Sequence, residues 1–302
     1  MTARFDQRAL ARRIAVSPAG APRSPAFTLV ELLVVIAIVG ILAGLLLPTL
    51  SRAKARAQAL SCMNNTRQLG FAWKLYSGDF NDSLVYNLGG NISTSSPMAV
   101  APVNLPNWVD NIMDWTTSAA NTNTAFVFNS LLGPYAGYSA PIFRCPTDRA
   151  LSPSQRQAGW TDRVRSFSMN AMIGNPGSLL TAGVNVNNPY YRQFLKESDI
   201  PDPDSIFVFL EEHPDSISDG YFIDTAPAYH QKAEWIRLPA SYHNRGANFS
   251  FADGHTEMHA WLFDSTCPPS VFEGANVPFY VPAGQTADFD WVVERMSVYA
   301  GE

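Results

Sequence analysis

The sequence predicts an α+β protein, in which a long N-terminal helix, apolar enough to cross a membrane, packs on an antiparallel β-sheet head. Three observations carry that prediction. Residues 27–47 form an apolar run of membrane length, residues 51–76 extend it with helix-forming residues, and "SIFVFLEEH" and "NFSFADGHTEMH" have strand and hairpin character. With 302 residues, 46% of them hydrophobic and 16% charged, the chain is long enough for one or two cored domains besides that run.

Residues 1–26 are basic, with Arg4, Arg12, Arg13 and Arg23 among their side chains. From Leu32 through Leu47 there is no polar side chain, and a helix from Phe27 to Leu47 spans roughly 30 Å, the thickness of a bilayer's hydrocarbon core. A removed secretory signal fits less well, because its apolar core is about 7–15 residues and ends in a small-residue cleavage site. Glu31 sets this run apart from a plain anchor. A carboxylate inside a transmembrane helix costs about 2.5–3.5 kcal/mol at mid-bilayer and needs a partner.

"AFTLVELLVVIAIVGILAGLLLP" resembles the N-terminus of type IV pilins and type II secretion pseudopilins. The resemblance implies cleavage by a prepilin peptidase between Ala26 and Phe27, methylation of the new N-terminus, and a mature chain whose fifth residue is Glu31. The family usually has Gly where Ala26 stands. In such filaments the glutamate neutralises the N-terminal amine of a neighbouring subunit, which here is that of Phe27. Pro48 matches a helix-bending proline of many pilins, and a proline there removes a helix hydrogen bond and is expected to kink or unwind the helix. The basic flank after the run offsets the basic leader in the positive-inside rule, so a head outside the cytoplasm follows from the resemblance.

The chain then divides into a leader at 1–26, a helix at 27–76 with its membrane span at 27–47, and a head at 77–302. Beyond Pro48 the helix contains Ala53, Ala55, Ala57 and Ala59, and it is expected to dock through Leu69, Trp73 and Tyr76. Leu60, Arg67 and Phe71 lie near one face. Arg52, Lys54, Arg56, Arg67 and Lys74 face no acid within residues 51–78, so the net charge of −5 conceals a strongly acidic head. Such a head repels phosphates, which argues against nucleic acid as a partner.

"SCMNNTRQLG" and the later "FRCPTD" resemble segments of large paralogous groups of prepilin-like proteins. By that resemblance Cys62 and Cys145 form a disulfide, as a secreted head favours. Cys267 is left over, and spacing alone does not fix the pairing. Residues 83–150 read as a loop-rich insertion with short helices around Asn107–Trp115 and Ala125–Leu132. Their aromatic residues (Trp108, Trp115, Tyr135, Tyr138) read as structural anchors, with sugar binding as the alternative.

"VRSFSMN" and "SIFVFLEEH" read as strands, the second apolar on both faces and therefore buried and central. "EEHPDSISDGYFID" crowds Glu211, Glu212, His213, Asp215, Ser218, Asp219 and Asp224 around a turn. Its ordinary reading is a solvated acidic turn; the sharper one is a calcium site with Asp215 and Asp219 as ligands. In the hairpin, a two-residue Asp253-Gly254 turn pairs Ala252 with His255, Ser250 with Glu257 and Asn248 with His259. His255, Glu257 and His259 then share one face, either as a plain polar face or as ligands for zinc, the second cation to consider.

His243, nine residues and Asp253-Gly254 match the pattern of a prepilin-associated H-X9-DG domain, a resemblance covering about residues 200–262 as well as the N-terminus. Together these features predict a structural subunit rather than an enzyme. Its partners would be prepilin peptidase, like or related subunits and cytoplasmic-membrane lipid, and it would assemble into a type IV pilus or a type II secretion pseudopilus. The rival readings are a membrane-anchored metal-dependent hydrolase using His255, Glu257 and His259, and a glycan-binding adhesin head; no H-E-x-x-H, G-x-S-x-G or P-loop pattern supports the first.

Overall fold

The computed structural model describes residues 27–89, 106–225, 233–272 and 279–300. The leader, Ala26 included, lies outside them. One helix, α1 (Leu29–Asp79), carries the apolar run. It starts on a reciprocal cap: the Thr28 hydroxyl oxygen accepts from the Glu31 N–H at 3.2 Å, while the Thr28 N–H and O–H both donate to Glu31 Oε2 at 2.8 and 2.7 Å. This is the S/T-x-x-E capping box, which satisfies otherwise orphaned donors of the first turn. At Pro48 the helix stays wound; the Thr49 hydroxyl donates to the Leu46 carbonyl at 2.8 Å. Of the two outcomes expected there, a kink or an unwound stretch, the unwound stretch does not occur.

The chain forms two compact units, residues 1–51 and 52–302. In the first, the apolar side chains of α1 are exposed from Phe27 through Leu50. In the second, Cys62, Thr66, Leu69, Trp73 and Tyr76 recur every three or four residues and are buried, while Leu60, Phe71 and Leu75 are exposed. That stripe is the docking face of an amphipathic helix.

Four longer strands and one short one build the main sheet: β1 (Phe167–Asn170), β4 (Phe207–Glu211), β5 (Tyr221–Phe222), β7 (Gly246–Phe251) and β8 (Thr256–Ala260). Their order is β5-β1-β4-β7-β8, with β4 in the centre as its two apolar faces predict. The sheet is mixed rather than wholly antiparallel, since β5 joins β1 in parallel. Two-stranded pairs are added by β2 (Leu180–Thr181) with β3 (Val184–Asn185), and by β6 (Glu234–Trp235) with β9 (Phe279–Tyr280). A register shift between Phe207 and Phe209 bulges β4 against β7. Accordingly Val208 and Phe209 join the core that contains Cys62, Leu69 and Trp73, whereas Phe207 and Leu210 join a second core with Phe249 and Trp261. The helix α4 (Ala287–Glu294) supplies Phe289, Val292 and Val293 to that second core. The sheet is thus covered by α1 on one face and α4 on the other.

Among the described residues the insertion is mostly irregular, with α2 (Ala125–Phe128) as its α-helix, and α3 (Pro153–Gln157) follows it. The helix expected around Asn107–Trp115 does not form. Asn107 Oδ1 accepts from the N–H groups of Leu88 and Trp108, and Met113 donates its N–H to the Ser218 carbonyl, so side chain and tertiary contacts take the bonds a helix needs. Trp108 is fully buried against Phe209, a structural anchor.

Candidate functional site

Two regions carry the chain's distinctive chemistry: the start of α1, and the junction where α1 meets the sheet. At the first, Glu31 closes the capping box and heads an apolar surface, with Phe27, Leu29 and Val30 each more than two-thirds exposed. Among the described residues this is the one helix long and apolar enough to cross a membrane. The T-L-V-E pattern of residues 28–31 signals the cap in the sequence.

At the second, Cys62 on α1 is bonded to Cys145, across a sequence separation of 83. His243 Nε2 lies 3.4 Å from Cys145 Sγ and 2.9 Å from Glu211 Oε1, at the end of the central strand. The other carboxylate oxygen, Oε2, accepts from the backbone N–H and side-chain amide of Asn248 at 2.8 and 3.2 Å. Glu211 is completely buried and His243 nearly so. A buried carboxylate needs such donors on both oxygens.

The Asp253-Gly254 end of the same segment meets α1 two to three turns further on. Gly254, at φ +100°, lies against the side chains of Lys74 and Phe71, and Ser250 packs on Gly70 so closely that a Cβ there would stand 3.3 Å from the Ser250 Cβ. Going from Cys62 to Lys74 along the helix therefore matches going from His243, through β7, to Gly254. The H-X9-DG segment is a strip laid along the docking face of α1 and fixed at both ends.

The hairpin register differs from the expected one by a residue. Phe249 pairs with Glu257, Ala247 with His259 and Asn248 with Met258. The reason is the turn: Phe251 and His255 close the hairpin, Gly254 donates its N–H back to the Phe251 carbonyl, and three residues rather than two form the loop. A type I turn followed by a positive-φ glycine has this form. Asp253 Oδ1 accepts from the His255 N–H at 2.9 Å and faces its Nδ1 at 2.7 Å, bracing the loop.

The residues of the two alternative cation readings make other contacts. His255 stacks on Phe251, His259 stacks on Trp291 at 3.7 Å, and Glu257 is exposed. Burial against these rings lowers the His259 pKa from the ordinary imidazole value. In the acidic turn Asp215 accepts from the N–H groups of Val271 and Phe272, and Asp219 from Tyr221 N–H and Arg237. Arg165, fully buried, donates to Asn111, to the Phe167 carbonyl and Ser168, and to the Ser218 carbonyl, and its charge lies near Glu212 and Asp219. Guanidinium groups, distant in sequence, thus lie beside the acids of this turn. Burial outweighs them at Glu212, whose pKa is raised, and brings that of Arg165 down to about 10. Among the described residues, the set that does bring three or more metal-capable side chains together is Cys62, Cys145, Glu211 and His243, with ligand atoms within 4.8 Å of one another.

Comparison with known proteins gives a family match at the N-terminus. The family described as the prokaryotic N-terminal methylation motif covers residues 22–47. No curated protein and no solved structure matches the chain. The motif supports a type IV prepilin-like N-terminus, and the α1 surface is consistent with a single-pass membrane anchor.

Proposed function

We propose that this chain is a prepilin-like structural subunit, cleaved between Ala26 and Phe27 by a prepilin peptidase, N-methylated, and assembled through its apolar helix into a type IV pilus or a type II secretion pseudopilus. The methylation motif over residues 22–47 is the observation that carries this reading. Before assembly the helix lies in the cytoplasmic membrane with the head outside, and residues 1–26, 27–76 and 77–302 act as leader, helix and head. In the assembled state Glu31 faces the amine of a neighbouring Phe27. The capping box supports this economy: both Thr28 bonds fall on Oε2, so the carboxylate is oriented before any neighbour arrives. The work is mechanical, and the head's H-X9-DG strip serves it by fixing the docking face of α1.

The test is the intact mass and N-terminal sequence of the membrane-extracted protein, made with and without a matched prepilin peptidase. A methylated Phe27 start, seen with peptidase alone, supports the reading; an uncut chain or a cut beyond Leu47 overturns it. Assembly separates charge from capping. Glu31→Gln keeps a side chain competent for the capping box but removes the charge, and should cut filament yield at least tenfold, since an uncompensated charge in hydrocarbon costs about 2.5–3.5 kcal/mol. Thr28→Ala loses only a cap of about 1 kcal/mol and should leave assembly largely intact.

A further inference from the structure

The Cys62–Cys145–His243–Glu211 cluster has a composition that capping a disulfide does not require. A disulfide is neutral and needs neither an imidazole nor a carboxylate beside it, yet both lie buried here with their ligand atoms within 4.8 Å of the two sulfurs. Tetrahedral zinc with bonds of about 2.0–2.3 Å sets its ligands roughly 3.3–3.8 Å apart. His243 Nε2 and Cys145 Sγ are already at 3.4 Å, and His243 Nε2 and Glu211 Oε1 at 2.9 Å, so small outward shifts are sufficient. Asn248 holds Glu211 Oε2 and leaves Oε1 directed at the cluster, the kind of outer support that orients a metal-ligating carboxylate.

We infer that reduction of the Cys62–Cys145 disulfide converts this cluster into a closed zinc site of two thiolates, one imidazole and one carboxylate. Two thiolates disfavour the hard cations calcium and magnesium, while a mixed sulfur, nitrogen and oxygen set suits zinc. The reductant supplies two electrons: a phosphine attacks one sulfur, the S–S bond breaks, water delivers oxygen to phosphorus, and a phosphine oxide and two thiols result. Zinc then displaces the two thiol protons to solvent, and His243 binds as the neutral imidazole, its one ring proton on Nδ1 and the Nε2 lone pair on the metal. The burial of all four ligands leaves no open coordination position for a substrate, so the site is structural. Its consequence is that α1 stays cross-linked to β4 and the H-X9-DG strip under reducing conditions, by metal instead of disulfide. This inference does not depend on the pilin reading.

The test uses the full chain in detergent with Cys267→Ser, so that reduction yields two thiols. After treatment with tris(2-carboxyethyl)phosphine, thiol counting by alkylation and anaerobic desalting, zinc is added and the bound metal measured after dialysis. One zinc per reduced chain and none per oxidised chain is expected, with cobalt substitution giving a tetrahedral, thiolate-bearing absorption spectrum. His243→Ala and Glu211→Gln should each weaken binding at least tenfold. A verified reduced chain that takes up no zinc, folded or not, overturns the inference. So does equal affinity in the His243→Ala/Glu211→Gln double variant, which would mean that two thiols of an opened chain suffice. The cobalt spectrum of the chain with His243 and Glu211 intact decides the matter if those variants do not fold.

Discussion

Asp224 illustrates how backbone donors hold a buried carboxylate. Its Oδ1 accepts the N–H groups of Ile236 and Arg237, at 2.6 and 3.1 Å, and no described group bonds Oδ2. Burial pushes its pKa well above the usual carboxylate value, the two backbone donors opposing and the nearby Glu212 adding to the rise. A folded pKa above the unfolded one means that the residue's stability is fully present below the unfolded pKa and is lost as pH rises through the folded pKa. Asp224→Asn keeps an oxygen for both N–H groups and cannot ionise. It should therefore stabilise the head on the order of 1 kcal/mol at pH 8 and have much less effect, or be slightly destabilising, at pH 4. Urea midpoints of the two proteins at both pH values check this; an equal shift at the two pH values would exclude ionisation as the cause. The sequence shows the acids of this stretch but not their partners, because Arg165 and Arg237 reach them only through the fold, and a calcium reading of the same residues has no local signal against it.

The β7–β8 hairpin raises the same issue at the level of an element. Gly254 occupies φ +100°, which side chains with a Cβ rarely adopt, and it sits beside Lys74 and Phe71 of α1. Gly254→Val should cost about 1–3 kcal/mol, and Gly254→Asn less than half as much, because asparagine tolerates positive φ better than a β-branched residue. Thermal unfolding of the two variants beside the unaltered chain measures the difference; equal losses would point to crowding against Lys74 instead of backbone strain. The alternating pattern and the Asp-Gly pair were enough to find the hairpin, but a two-residue and a three-residue loop have the same signature. One added loop residue re-pairs every position across the strands, which is why Glu257 faces Phe249 and not Ser250. Periodicity likewise located α1 and the central strand β4, elements whose burial pattern is written in their own residues. The irregular course of residues 107–115 depends on bonds to Leu88 and Ser218, and no local pattern records those.

At the scale of the whole molecule, the two compact units divide solubility from stability. Residues 52–302 contain both cores and the Cys62–Cys145 bond, whose closure of a long loop contributes about 4–5 kcal/mol by the chain-entropy argument. The apolar side chains of residues 27–50 are all exposed, and a continuous surface of that kind requires lipid, detergent or other copies of the helix to cover it. The apolar run was legible for this reason: it needs no tertiary partner to define it. A chain beginning at Arg52 should then be soluble without detergent, while the full chain should pass into the detergent phase on cloud-point separation. The melting temperatures of their heads should differ by less than about 3 °C, the shift that ~1 kcal/mol produces in a domain of this size. Circular dichroism melts of the two, the full chain held in detergent, check the second expectation. A shortened chain that aggregates, or melts more than about 10 °C lower, would mean that residues 27–51 take part in folding the head, and that the apolar segment does structural work besides anchoring.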